Sequence, residues 1–168
     1  MRSADKGFEG FKSFYIFETK FGAITIVSDG SAITAVWLKE VSVTGAKNEA
    51  SPIIGLAAKQ LEEYFAGKRR QFDVPVSPHG TVFQQAVWKE LLAIPYGETR
   101  SYKQVAQGIG NPDACRAVGM ANNRNPISII IPCHRVIGSN GALVGYGGGI
   151  DMKRRLLDLE KRNSLPLR

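Results

Sequence analysis

Cysteine and histidine are both scarce: the 168-residue chain holds only Cys115 and Cys133, His79 and His134. Two cysteines cannot build a disulfide framework, and the four residues together show none of the spacings of a structural zinc site. Long hydrophobic runs are missing too. No stretch has the length of a membrane span, and residues 1–7 lead into no apolar segment of signal-peptide kind. The expectation is a cytoplasmic protein with no metal, no cofactor and no membrane partner. Negative charge is also in short supply, with 15 acidic residues against 22 Lys and Arg. The imbalance is uneven, since residues 1–80 carry ten basic and nine acidic side chains while residues 81–168 carry twelve and six. A basic half draws polyanions and makes nucleic acid a natural partner, although many basic proteins bind none.

What is present, 43% hydrophobic and 22% charged residues, is the balance of a globular protein able to bury a core. In the first half, Phe14-Tyr15-Ile16-Phe17, Ala23-Ile24-Thr25-Ile26-Val27 and Ala32-Ile33-Thr34-Ala35-Val36-Trp37-Leu38 are separated by Phe21-Gly22 and Asp29-Gly30. That pattern predicts a three-strand antiparallel meander. Ser51-Pro52 then offers a cap and an N-terminal proline for a helix whose apolar face is Ile54, Ala57, Ala58, Leu61, Tyr64 and Phe65. Residues 68–80, with Pro75, Pro78 and Gly80, form a linker holding at most one short strand, and a boundary is expected after residue 80.

In the second half, Thr81 caps a helix with Phe83, Ala86, Val87, Leu91 and Ile94 on its apolar face, ending at Pro95-Tyr96-Gly97. Ser101 caps a short helix from Tyr102 to Gln107, and Asn111-Pro112 starts another that runs to about Ala121. Two short helices around a glycine-containing turn suit a helix-turn-helix, a pattern that many bundle corners share. The second of them presents Ala114, Ala117, Gly119 and Ala121 beside Arg116. Small residues would let it approach a narrow minor groove with one arginine entering the base stack; equally, the alanines could pack on a neighbouring helix.

The chemistry concentrates in Ile131-Pro132-Cys133-His134-Arg135-Val136. A thiolate is a strong nucleophile, and an adjacent imidazole is a common way to generate one. Residue type alone leaves open a structural cysteine behind a strand, because unpaired cysteine is among the most buried residues. Glu160 could likewise be an exposed helix-end carboxylate among Lys153, Arg154, Arg155, Lys161 and Arg162.

Taken together, Phe83-Gln84-Gln85-Ala86-Val87-Trp88, Ile94-Pro95-Tyr96-Gly97-Glu98-Thr99-Arg100-Ser101-Tyr102, Arg116-Ala117-Val118-Gly119, Asn125-Pro126, Pro132-Cys133-His134-Arg135-Val136 and Gly145-Tyr146 resemble the O6-alkylguanine-DNA alkyltransferase family over residues 80–160. The first 80 residues are similar to it mainly in their sheet-then-helix layout.

The resemblance implies an α+β protein: a ribonuclease-H-like roll over residues 1–80, and over 81–168 a mostly helical, winged-helix-like domain with a helix-turn-helix. It implies direct-reversal repair, in which O6-alkylguanine is flipped out of duplex DNA and its alkyl group passes irreversibly to Cys133. In that family a water joins the cysteine to the next histidine, here His134, whose other nitrogen meets a glutamate, here Glu160. Tyr102 would give a proton to guanine N3, Arg116 would replace the extruded nucleotide, and Asn125 would tie the cysteine turn to the helix-turn-helix. Val136, Tyr146, Gly147 and Gly148 would line the base pocket; Ser101, Ala117 and Arg135 complete the DNA- and substrate-contacting set. Some relatives carry a hydroxyl residue where this chain has Gly147, which leaves only backbone donation there. The partner implied is duplex DNA, met in the minor groove by a monomer able to bind cooperatively. Competing readings are a damage-binding module without chemistry, which Cys133 argues against, a Cys-His hydrolase, and a helix-turn-helix regulator.

Overall fold

The computed structural model describes residues 11–164; the N-terminal residues 1–7 considered above lie outside them. The chain divides into two compact units, up to Pro78 and from His79 onward. Among the described residues, no helix is long and apolar enough to cross a membrane.

The first unit holds strands β1 (Ser13–Thr19), β2 (Gly22–Ser28), β3 (Ile33–Trp37) and β4 (Lys47–Asn48) and helix α1 (Pro52–Phe65). The sheet order is β3-β2-β1-β4. The meander expected from sequence is β1 to β3; β4, a two-residue strand parallel to β1, was not signalled by any hydrophobic alternation. Its side chains are exposed, so period-two patterning has nothing to act on. The Lys20-Phe21 loop closes between Thr19 and Gly22, and Asp29 caps the next turn by accepting from Ser31 and Ala32 N–H, both at 2.8 Å.

Ile24 to Ser28 of β2 are all buried, which places β2 at the centre with both faces covered. On one face Phe14, Val27, Ala35 and Val43 form a cluster. Helix α1 packs on the sheet with Ile54, Ala57, Ala58, Leu61, Tyr64 and Phe65 buried, the six residues its spacing selects. Burying each large apolar side chain of that stripe contributes about 1.5–3 kcal/mol. Ser51 occupies the N-cap position but makes no cap bond; its Oγ accepts instead from Ser13 Oγ at 3.3 Å. Gln60, polar yet buried, receives Asp73 and Val74 N–H on its Oε1 (3.2 and 3.3 Å) and donates to the Asp73 carboxylate. Of the linker, Val76 bridges to Ile33.

The second unit runs α2 (Val82–Leu92), β5 (Arg100–Ser101), α3 (Tyr102–Gly108), α4 (Cys115–Asn123), a 3-10 turn (Cys133–Arg135), β6 (Val136–Ile137) and α5 (Ile150–Ser164). Two capping boxes start its helices: Thr81 with Gln84, and Ser101 with Gln104. The buried stripe of α2 is Val87, Trp88 and Leu91; Ala86, expected inside, is exposed, and the indole of Trp88 takes the interior instead. Trp88 Nε1 donates to the Ala121 carbonyl at 2.9 Å, fastening α2 to α4.

Helix α4 begins at Cys115, later than the expected start at Asn111-Pro112, and ends later, at Asn123. Asn111 and Pro112 form a turn instead, in which Ala114 N–H reaches the Asn111 carbonyl at 3.1 Å. Strand β5 pairs with β6 in parallel, Arg100 opposite Val136 and Ser101 opposite Ile137. That short ladder brings the residues just after the 3-10 turn beside the start of α3.

Candidate active site

The segment entering the site is not the strand that the four isoleucines between residues 127 and 131 suggest. Ile129 has φ +71°, a left-handed conformation that a β-branched residue rarely adopts, and Ile130 N–H folds back to the Ser128 carbonyl at 2.8 Å. Such a residue costs of order 1–3 kcal/mol and persists only where its surroundings hold it. Asn125 does part of that holding. Its Nδ2 donates to the Ile131 carbonyl (2.8 Å) and the Ile127 carbonyl (3.3 Å), while its Oδ1 accepts from Ile127 N–H at 3.0 Å.

Pro132 then leads into the 3-10 turn of Cys133, His134 and Arg135, all three buried. Cys133 and His134 therefore share one tight turn. Asn122, on α4, donates Nδ2 to the Cys133 carbonyl at 3.3 Å, a direct link from the helix-turn-helix to the cysteine that sequence reasoning missed.

Glu160 organises the far side of the turn. It is 1% exposed, and its carboxylate accepts from His134 Nε2 (2.8 Å), Arg135 Nε (2.9 Å), Arg135 Nη2 (2.8 Å) and Gly97 N–H (3.2 Å). These donors hold its pKa at about 2 against the opposing effect of burial. An ionised carboxylate can only accept, so His134 Nε2 must carry the proton and Nδ1 is the basic nitrogen. Burial, opposed by Glu160, lowers the His134 pKa, which keeps the ring neutral and ready to take a proton. Burial pushes the Cys133 thiol up; Asn125, Lys153 and nearby backbone groups pull it back.

Arg135 requires a correction. Expected to contact DNA or substrate, it is 6% exposed and turned inward, bonding Glu160, reaching the Ile94 carbonyl with Nη1 at 2.7 Å and lying 5.6 Å from the Tyr96 ring centroid. Its place in the sequence beside His134 says nothing of direction, and the carboxylate that neutralises it, Glu160, lies inside.

Tyr102 opens α3 and donates its hydroxyl to the Val144 carbonyl at 2.8 Å. Burial, with a smaller contribution from Cys133, raises its pKa, so the phenol keeps its proton. Lys153, one turn into α5, is 0% exposed and donates Nζ to the same carbonyl at 3.1 Å. The spacing Lys153, Leu156, Glu160 along one helix face is the signal that both charged residues point inward. Val136 is fully buried at the end of the turn. The Tyr146 hydroxyl is buried with no hydrogen-bond partner, and burial together with Cys133 and Glu160 raises its pKa well above the ordinary value. Gly147 and Gly148 are exposed, and a Cβ added at Gly147 would meet nothing within 4 Å.

The α4 surface differs in part from the expected row of small residues. Arg116, Ala117, Met120 and Asn123 are exposed, whereas Ala121 is buried beneath Trp88 and Gly119 lies against Tyr102. Ser101 uses its hydroxyl to cap α3, accepting from Gln104 N–H at 3.1 Å. Cys115, the other thiol, reaches the Pro112 carbonyl at 3.7 Å, away from the groups around Cys133.

A buried thiol beside a neutral imidazole, itself oriented by an ionised carboxylate, is an arrangement for making a thiolate on demand. Residues 82–162 match the DNA-binding domain of 6-O-methylguanine DNA methyltransferase, and residues 11–78 match the ribonuclease-like domain of the same proteins. A methylated-DNA–protein-cysteine methyltransferase from Methanosarcina acetivorans is 50% identical over 151 residues, covering 88% of this chain and 97% of its own. One from Mycobacterium tuberculosis is 51% identical over 147 residues, covering 86% and 89%. The crystal structure of Mycobacterium tuberculosis OGT in complex with DNA superposes with a TM-score of 0.85 at 49% identity, covering 90% of this chain and 94% of that one. With both domains matched in order and relatives this close along nearly their whole length, the chain belongs to the 6-O-methylguanine DNA methyltransferase family.

Proposed function

We propose that this protein repairs duplex DNA as a methylated-DNA–protein-cysteine methyltransferase, moving the alkyl group of O6-alkylguanine to Cys133 once per molecule. The observation that carries the reading is the relay of Cys133, His134 and Glu160: a buried thiol followed by a neutral histidine whose Nε2 is fixed on an ionised glutamate.

The thiol proton passes toward His134 Nδ1, through a water in the family's manner. The thiolate attacks the alkyl carbon; the S–C bond forms as the C–O6 bond breaks, and the electron pair leaves on guanine. Tyr102, protonated and placed at the start of α3, exchanges the Val144 carbonyl for guanine N3 and returns a proton, so the purine departs neutral. A thioether does not readily give up its alkyl group, since that would expel a thiolate, which makes the reaction stoichiometric.

The lesion lies inside the stack, so the nucleotide must first be extruded at a cost of a few kcal/mol. Arg116, exposed on α4, offsets part of that cost by filling the gap, with α3 and α4 docked as a helix-turn-helix on the minor groove. Ala117 beside it permits close approach. Val136, Tyr146 and the Gly147-Gly148 backbone form the pocket for the flipped base. Asn125 and Asn122 keep the cysteine turn in register with the groove helix. Action on DNA with a reduced thiol suits a cytoplasmic protein.

The test is a titration of a methylated duplex with increasing protein. Repaired guanine should plateau at one equivalent per protein, and Cys133→Ala should repair none while still binding the duplex. Repair beyond one equivalent, or repair by Cys133→Ala, would overturn the reading.

A further inference from the structure

The loop before α5 is tied down at Val144 and leans on α4 at the next residue. The Val144 carbonyl accepts from the Tyr102 hydroxyl at 2.8 Å and from Lys153 Nζ at 3.1 Å. Gly145 follows in the left-handed region, at φ +59°, with its backbone against the side chain of Asn123. A Cβ added at Gly145 would stand 3.0 Å from Asn123 Nδ2, 3.0 Å from Oδ1 and 3.4 Å from Cγ. Two equal distances with Cγ behind them mean that the amide meets the glycine end-on, its tip filling the space that a side chain would need. Carbon contacts are ordinarily about 3.5–4.0 Å, so the missing Cβ is what lets loop and helix approach this closely.

Asn123 is exposed on α4, and among the described residues its side chain makes no hydrogen bond. What it offers the loop is bulk. Its neighbour Asn122 donates to the Cys133 carbonyl at 3.3 Å. Consecutive residues at the end of one helix thus touch both sides of the site, the cysteine turn and the loop that carries Tyr146.

We propose that Asn123 is a positioning residue of the transfer reaction: a stop on which the pocket loop rests at Gly145, so that α4 sets the place of the loop relative to the Cys133 turn. The inference rests on the alkyl-transfer reading above and adds a residue to it. Asn123 meets no reacting atom; it acts through Gly145 on the adjoining Tyr146. With the stop removed, the loop is free to move toward α4 and to carry the pocket wall with it. A wall misplaced by about 1 Å can cost about a hundredfold in rate, because thiolate and alkyl carbon must meet in line. The rate therefore depends on the volume at position 123 and not on its polarity.

Three variants separate the two. Asn123→Ala removes the stop, Asn123→Leu restores it with the same branching and no polar atom, and Gly145→Ala drives a methyl group into it. The readout is single-turnover transfer from free O6-benzylguanine, with benzylation mapped to the Cys133 peptide so that Cys115 does not contribute. Asn123→Ala should lower the rate constant by about tenfold while benzylation still runs to completion, whereas a loss of folded protein would lower the final extent instead. Asn123→Leu should bring the rate back to within about threefold of the wild type, as a volume-conserving exchange does. Gly145→Ala should also be slow, and adding Asn123→Ala to it should recover part of the loss, the strain of a left-handed alanine remaining in both. An Asn123→Ala rate equal to the wild type, an Asn123→Leu as slow as Asn123→Ala, or Asn123→Ala and Gly145→Ala effects that simply add would each overturn the inference. So would an Asn123→Ala deficit seen with duplex substrate and absent with the free base, which marks a DNA contact. Should Gly145→Ala fail to fold, the two Asn123 variants decide alone. A wild-type protein that takes up no benzyl group refutes the alkyl-transfer reading itself, a separate result.

Discussion

Glu160→Gln should separate the stability of the second unit from its chemistry. In the folded protein Glu160 titrates at about 2, against an ordinary 4.5. Its folded pKa is depressed, so its contribution is fully present above 4.5 and is lost as pH falls through 2. At about 1.4 kcal/mol per pKa unit the shift corresponds to roughly 3 kcal/mol at neutral pH, of which roughly half survives at pH 3. Glutamine is neutral at every pH and leaves Arg135 buried without its counter-charge, a loss of about 3–5 kcal/mol when one partner of such a pair is removed.

Trp88, buried in α2 and bonded to the Ala121 carbonyl, reports on this unit once Trp37 of the first unit is replaced by phenylalanine. Urea unfolding followed by Trp88 fluorescence should show Glu160→Gln less stable by about 3 kcal/mol at pH 7, with the gap narrowing below pH 4. The rate of benzyl transfer should fall as well, because the charged acceptor on His134 Nε2 is replaced by a neutral amide, which fixes the tautomer less firmly and no longer favours a protonated ring. A variant as stable as the wild type at pH 7, or a gap that stays constant down to pH 2.5, would refute the assignment of Glu160 as an ionised buried anchor.

Arg116→Ala should slow repair in duplex DNA far more than reaction with free O6-benzylguanine, as followed by parallel single-turnover assays, since only the duplex requires extrusion. Asn122→Leu should lower stability by about 1 kcal/mol and slow transfer to the free base, because the Cys133 carbonyl loses its α4 donor while the unpartnered Asn122 Oδ1 is removed in compensation; urea midpoints and the same transfer assay check it. Ser101→Ala should reduce stability by about 1 kcal/mol through loss of the α3 cap, read in the same unfolding experiment.

Periodicity made α1 legible to the residue, because one apolar stripe on one sheet leaves the pattern nothing else to encode. It failed where polar atoms decide direction. Asn111-Pro112 has the chemistry of a helix start, yet α4 begins at Cys115, since the Ala114 N–H to Asn111 carbonyl bond makes a separate turn first. The apolar run before Cys133 looks like a strand, and the left-handed Ile129 that breaks it carries no mark in the sequence. The contact between His134 and Glu160 was legible through resemblance; Arg135 was misdirected because adjacency on the chain does not fix which way a side chain turns. Asn122 and Lys153 went unread for a common reason: a polar residue on a buried face looks like surface until its partner, here a backbone carbonyl for each, is located in space.

The central claim is that Cys133 receives the alkyl group and keeps it. The most direct measurement is intact-protein and peptide mass spectrometry after incubation with excess duplex carrying one O6-methylguanine. The account predicts one added methyl per molecule, on the peptide bearing Cys133, with one equivalent of lesion consumed. An unmodified protein that still binds the lesion tightly would contradict it and leave a damage-binding module in which Cys133 is structural.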